Sequence, residues 1–127
     1  MLSIKESFLA MRIFLDKYYF RTKSFDIGGL LGDTILFGGN ETADPAAWED
    51  WISSAEKYIK EFDNIDICKA YIIMMDFLKE YGLRVNSNEV ALLVSEMKLV
   101  KDSESKNKRY WNEWLESIKA LNNGDLI

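Results

Sequence analysis

The sequence predicts an all-α protein of six helices, built as two tandem three-helix repeats of period 63 packed with pseudo-two-fold symmetry. Three observations predict it. Trp48 and Trp51 recur as Trp111 and Trp114, a shift of 63 in both cases. Apolar residues step by threes and fours along each copy, which is the period of a helix face. Good N-cap residues, Ser24, Asp44, Ser87 and Asn107, stand where those stripes begin. Applied without gaps, the shift makes 13 of the 59 pairs from Ile4 to Phe62 identical. Ordinary composition would give about four by chance. The boundaries expected are 1–63 for the first repeat and 64–127 for the second, within a single domain.

The first helix of each copy rests on Ile4, Phe8, Met11, Leu15 and Tyr18, widened by Phe14, and on Ile67, Tyr71, Met74, Leu78 and Tyr81, widened by Phe77. The second begins at Ser24 or Ser87, with Asp26 or Glu89 in the first turn to meet the helix dipole. Its apolar positions are Ile27, Leu30, Leu31 and Thr34, then Val90, Leu93, Val94 and Met97. Gly28, Gly29 and Gly32 weaken the first of these by about 1 kcal/mol each relative to alanine, so mobility is expected there. Gly28 and Gly32, like Ala91 and Ser95, also form a strip of small residues suited to close helix contact. The glycines lack the spacing of a phosphate loop, and no strand precedes them. The third helix starts at Asp44 with Pro45 at the first helical position, where its missing N–H costs nothing. Trp48, Trp51, Ile52, Ala55, Ile59 and Phe62 form its expected buried stripe. Trp111, Trp114, Leu115, Ile118 and Leu121 do so in the second copy. Loops are expected at about 37–43 and 100–106, where Gly38-Gly39 and polar tracts stand. The join at Asp63–Asp66 is short, so the two copies are expected to form one packed body.

Composition removes most catalytic classes. The 127 residues include no histidine and one cysteine, Cys68, expected to be a small buried or half-buried thiol. Disulfide frameworks, His/Cys zinc sites and histidine-activated nucleophiles are therefore excluded. Glu113 and Glu116 have the Glu-x-x-Glu spacing that can hold Mg²⁺ on a helix. Their counterparts Asp50 and Ser53 do not repeat it, and a solvated helix face explains the pair equally well. No catalytic residue, cofactor or metal is assigned. Tryptophans at a spacing of three, with no basic residues between them, read as core anchors rather than stacking platforms for nucleic acid. The longest apolar runs, such as Tyr71–Met75, are too short to span a bilayer, and the first residues carry an acid and no continuous apolar core. A soluble, cytoplasmic protein is expected, with no membrane and no nucleic acid as direct partner.

Charge supplies the functional signal. The formal net charge is −5. From Ser24 to Glu56 there are seven acids and no lysine or arginine, while the shifted window Ser87–Lys119 has six acids and six bases. The fold does not demand that difference, since both copies solve the same folding problem. A surface of one sign steers a partner of the other. The expected docking face spans the second helix, the following loop and the start of the third helix, and the expected partner is a protein with a basic surface. Asp33, Glu41, Asp44, Glu49 and Asp50 are the candidate partner-binding residues, with Asp44 also occupied as a helix cap.

The stretches Asp26-Ile27-Gly28-Gly29-Leu30-Leu31-Gly32-Asp33 and Ala43-Asp44-Pro45-Ala46-Ala47-Trp48-Glu49-Asp50-Trp51 resemble a pattern in small bacterial immunity proteins. Those proteins accompany polymorphic toxins, including contact-dependent growth inhibition systems. Tyr18, Tyr19, Arg21, Thr22 and Ser24 extend the similarity over most of the first repeat. The second repeat departs from it, with Asn107-Lys108 for Asp44-Pro45 and Asn112-Glu113 for Glu49-Asp50. The resemblance implies a cytosolic, non-enzymatic protein that binds and neutralises one cognate toxin domain, often a nuclease. Nucleases grip phosphate backbones with basic clefts, which an acidic partner can cover. A helical adaptor that binds another protein through the same face is the alternative, and a carboxylate metal-dependent hydrolase is a third reading.

Overall fold

The computed structural model describes residues 1–101, 104–105 and 107–123. The described chain forms six helices: α1 (Ile4–Thr22), α2 (Phe25–Asp33), α3 (Pro45–Glu56), α4 (Ile67–Arg84), α5 (Asn88–Met97) and α6 (Lys108–Asn122). Each begins at a side chain that satisfies an otherwise orphaned N–H. Ser3 and Glu6 make a reciprocal capping box on α1. Asp44 accepts from the amide of Ala46 ahead of α3, and Asn107 from that of Arg109 ahead of α6. Asp66, read from sequence only as part of the join, caps α4 by accepting from the amide of Lys69 at 2.7 Å. Lys23 ends α1 in the left-handed conformation, φ 56°, and Ser24 at once caps α2. This tight corner sends α2 back against α1.

Four expectations need correction. The loop at 100–106 contains pairing: β1 (Leu99–Lys101) and β2 (Glu104–Ser105) form an antiparallel hairpin, with Leu99 opposite Ser105. Residues 102, 103 and 106, including Asp102 and Lys106 of the charge balance, lie outside the described ones. Helix α3 stops at Glu56, before Ile59 and Phe62 of the expected stripe. The chain turns there because Phe62 and Ile65 are needed elsewhere: the carbonyl of Phe62 accepts from the amide of Ile4, and Ile65 and Leu2 exchange N–H···O bonds of 2.8 Å each. Leu115 is exposed, since the buried side of α6 is set by Tyr110, Trp111, Trp114 and Ser117. Finally, the small-residue strip works only at Gly28. A Cβ there would meet the Tyr19 ring at 2.8 Å, whereas nothing lies within 4 Å of Gly32. A further close approach is made at Gly82 on α4, where an added Cβ would meet Val90 of α5 at 3.0 Å.

Helix α1 packs chiefly on α6, and α3 on α4; α2 lies on α1, α5 on α4, and α2 touches α5. One apolar cluster draws residues from all six helices, among them Phe8, Ile27, Trp51, Tyr71, Val90 and Trp114. Trp51 stands edge-on to Phe8 and Phe77, with centroids at 5.5 and 5.3 Å. Trp114 stands edge-on to Tyr71 and Phe14, at 6.0 and 6.4 Å. Such pairs add about 0.5–1.5 kcal/mol each beyond the area they bury. Where α2 meets α5, the two caps cross: the Ser24 hydroxyl donates to the carboxylate of Glu89, and the Ser87 hydroxyl to that of Asp26. No described helix is long and apolar enough to cross a membrane.

Candidate functional site

The acidic stretch is organised around the connection from α2 to α3. Glycine-weakened α2 is held at its C-terminal end by Arg12 of α1, whose Nη2 donates to the carbonyl of Leu31 at 3.1 Å and whose Nε donates to the Thr34 hydroxyl at 3.2 Å. Burial lowers the Arg12 guanidinium from its ordinary value, and nearby Asp16 partly opposes this. The chain then makes a narrow turn. Leu36 and Thr42 pair as an antiparallel bridge, and the amide of Phe37 donates to the carbonyl of Glu41 at 2.8 Å. Gly39, at φ +63°, supplies the left-handed residue the turn requires. The buried Thr42 hydroxyl then ties turn to helix, donating to the carbonyl of Asp44 at 2.6 Å and accepting from the amide of Trp48 at 3.2 Å.

This arrangement leaves a cleft of about 380 Å³ between the turn and the first turns of α3, lined by Phe37, Asn40, Glu41, Thr42, Pro45, Trp48 and Glu49. Phe37 is 58% exposed, and Trp48, half-buried, packs edge-on against Phe8 of the core at 5.2 Å. Of the five candidate residues, the cleft gathers Glu41 and Glu49, and no cation among the described residues forms an ion pair with either. Asp44 is exposed beside it and serves as the α3 cap.

Asp33 and Asp50 do not line the cleft. The amide of Asp44 donates to the backbone carbonyl of Asp33 at 3.0 Å, which fixes the start of α3 against the end of α2. Asp33 is also near Tyr81. Burial raises the Tyr81 phenol above its ordinary value, and the charges of Asp33 and Asp26 raise it further against the pull of Arg84. Asp50 lies 3.1 Å from Arg84 of α4. The linear stretch Ser24–Glu56 has no cation of its own, but folding brings Arg84 to it. Arg84 offsets Asp50, while Glu41 and Glu49 at the cleft have no ion pair among the described residues. Phe37 and Trp48 are the two aromatic residues in the lining of that cleft, and sequence reading missed them as site residues. One read as loop and the other as core, and the only available signal was an aromatic residue directly before Gly38-Gly39.

Glu113 and Glu116 are each engaged by a cation. Arg21 reaches Glu113 at 2.6 Å, and Lys17 reaches Glu116 at 3.6 Å. Partial burial pulls the Arg21 guanidinium down, but Glu113 and Tyr110 outweigh it, so the net direction is upward. Among the described residues no group of three or more Cys, Asp or Glu comes together as a metal site. Cys68 is half-buried. The chain matches no known protein-family model, no curated protein and no solved structure.

Proposed function

We propose that this protein is a cytoplasmic immunity protein that binds and neutralises a cognate toxin domain, a nuclease, without catalysis of its own. Its acidic face, on the first 63 residues, would cover the toxin's basic cleft. The observation that carries this reading is the pairing pattern of the acids. Asp50 is paired with Arg84 and Asp26 accepts from the Ser87 hydroxyl, whereas Glu41 and Glu49, which like Asp33 and Glu56 have no ion pair among the described residues, line one open cleft together. Carboxylates left unpaired on a surface repel one another slightly, and attraction of a cationic partner is the usual return for that cost.

The duplicated architecture belongs to the same proposal. Contacts support it in pairs whose numbers differ by 63: Arg21–Glu113 and Arg84–Asp50, Phe14–Trp114 and Phe77–Trp51, Ser24–Glu89 and Ser87–Asp26. In this reading the second copy is scaffold and the first has been turned to binding.

The test is co-expression with the C-terminal domain of the toxin encoded immediately upstream. Restored growth supports the reading, and continued killing overturns it. Purified partners should dissociate as salt is raised. The Asp33→Lys/Glu41→Lys/Glu49→Lys variant should lose binding while keeping its helical circular dichroism. Asp50 is left untouched there because it already holds Arg84.

A further inference from the structure

We propose that the cleft between the 36–42 turn and the first turns of α3 receives a single arginine side chain projecting from the partner's basic surface. The inference rests on the docking reading above and sharpens it, because it names one recess and one side-chain chemistry. Two aromatic residues, Phe37 and Trp48, and two carboxylates, Glu41 and Glu49, line the same space. A guanidinium is the side chain that uses both at once. It lies flat on an aromatic face and offers forked N–H donors to carboxylates, while its lower hydration makes it easier than an ammonium to seat in a half-dry recess. At about 380 Å³, the cleft lies at the small end of the ~300–1,000 Å³ range of ligand pockets. That suits one long side chain rather than a helix.

Electrostatics favours a cation in spite of the nearby helix terminus. The N-terminus of α3 carries roughly half a positive charge, but Asp44 already meets it as the cap. The charges of Glu41 and Glu49 are therefore left over. The recess is also pre-formed, which lowers the ordering cost of binding. Bonds from the amides of Phe37 to Glu41, Ala43 to Ile35 and Asp44 to Asp33 span 2.8–3.0 Å and fix the turn against α2 and α3. Phe37 is held exposed by this framework although water is a poor environment for it, and a stacked guanidinium would cover it. At the positions 63 further on, Lys108 and Asn112 replace Pro45 and Glu49. The second copy therefore puts a positive charge where the first accepts one.

The experiment is an NMR titration of the ¹⁵N-labelled full chain with N-acetyl-arginine methylamide, with the citrulline analogue as an uncharged probe of equal size and the lysine analogue as a point charge. The expected result is a saturable, millimolar response confined to amides 37–49 and the Trp48 indole. It should be absent with citrulline and roughly threefold weaker with lysine. Glu41→Gln/Glu49→Gln should weaken arginine binding about tenfold, and Phe37→Ala about threefold, with unchanged circular dichroism. An equal response to citrulline, shifts spread as strongly over Asp33 and Asp50, an unaffected Gln pair, or no response at all would each overturn the proposal. Toxin binding that survives Glu41→Gln/Glu49→Gln but is lost on Asp33→Lys would sink the cleft and leave the immunity reading standing. Arginine seated in the cleft of a protein that fails to protect against the toxin would do the reverse.

Discussion

Trp51 on α3 and Trp114 on α6 stand 63 residues apart in the chain. Both are fully buried, and both stand edge-on to two aromatic rings. Their indole nitrogens differ. Nε1 of Trp114 donates to the carbonyl of Ile67, the first residue of α4, at 2.8 Å. Nε1 of Trp51 has no acceptor among the described residues. The corresponding carbonyl, that of Ile4 at the start of α1, already accepts from the Ser7 hydroxyl at 2.7 Å. At the equivalent place α4 carries Ala70, which has no hydroxyl to compete. The carbonyl 63 positions before the Trp114 acceptor is thus already engaged by a hydroxyl, and an orphaned donor costs about 1–3 kcal/mol. The difference shows that matched packing does not guarantee matched polar accounting. The half that carries the acidic cleft is also the half whose core holds the unmet donor.

The largest effects should come from deleting either indole. Trp51→Ala and Trp114→Ala are each expected to lose about 3–5 kcal/mol in urea unfolding, from lost burial and an incompletely collapsed cavity. Replacement by phenylalanine separates the polar term from the packing term. Trp114→Phe removes a hydrogen bond to the Ile67 carbonyl, which keeps its place in the α4 ladder, whereas Trp51→Phe removes a donor with no described partner, so the first should cost about 1 kcal/mol more than the second. Equal losses would mean that the Trp114 bond contributes nothing.

Exchanging the residues that cause the difference should be milder. Ser7→Ala removes the hydroxyl bound to the Ile4 carbonyl, and if the Trp51 indole takes its place stability should stay within about 0.5 kcal/mol of the parent or rise. Ala70→Ser places a hydroxyl in a fully buried site, where it must compete with Trp114 for one carbonyl, and should cost about 1–2 kcal/mol. Tryptophan fluorescence would report the change at each indole. If both exchanges proved equally harmful, the comparison between the two sites would fail.

Local signals carried much of this structure in the sequence. Ser24, Asp44, Ser87 and Asn107 cap helices because short polar side chains act on amides two or three residues away. Ile27, Leu30 and Thr34, and likewise Val90, Leu93 and Met97, are buried as the helical period requires. Features set by distant chain segments were not legible. Helix α3 ends early because Phe62 and Ile65 are drawn to Ile4 and Leu2, which no periodicity within 45–62 can indicate. Asp50 reads as a free acid until Arg84 of α4 arrives beside it. Gly28 and Gly32 look alike in the chain, and only the position of Tyr19 distinguishes them. At the candidate site, Glu41 and Glu49 followed from charge alone. Phe37 did not, because its exposure depends on a turn pinned by Thr42.

The smallest expected effect at neutral pH, and the finest test of the difference between the two ends, lies in the tyrosines. At one end Tyr18 and Tyr110 are 6.3 Å apart with Arg21 over both rings; at the other Tyr81 lies beneath Arg84, and Ala47 stands where a second tyrosine would be. Burial is the first cause raising all three phenols above their ordinary value, and Tyr110 raises Tyr18 further. The neutral phenols are therefore favoured by folding. Their contribution is fully present below a pH of about 10 and is lost as pH rises through the elevated folded values. Stability should accordingly hold steady up to about pH 10 and fall beyond it. Tyr110→Phe keeps the ring and removes the ionisable oxygen. Absorbance of tyrosinate should then show Tyr18 ionising at lower pH than in the parent, yet still above the free phenol because its burial persists. Tyr81, at the other end, should titrate unchanged. A shift at Tyr81 as large as that at Tyr18 would mean that the two ends are coupled through the core rather than titrating independently.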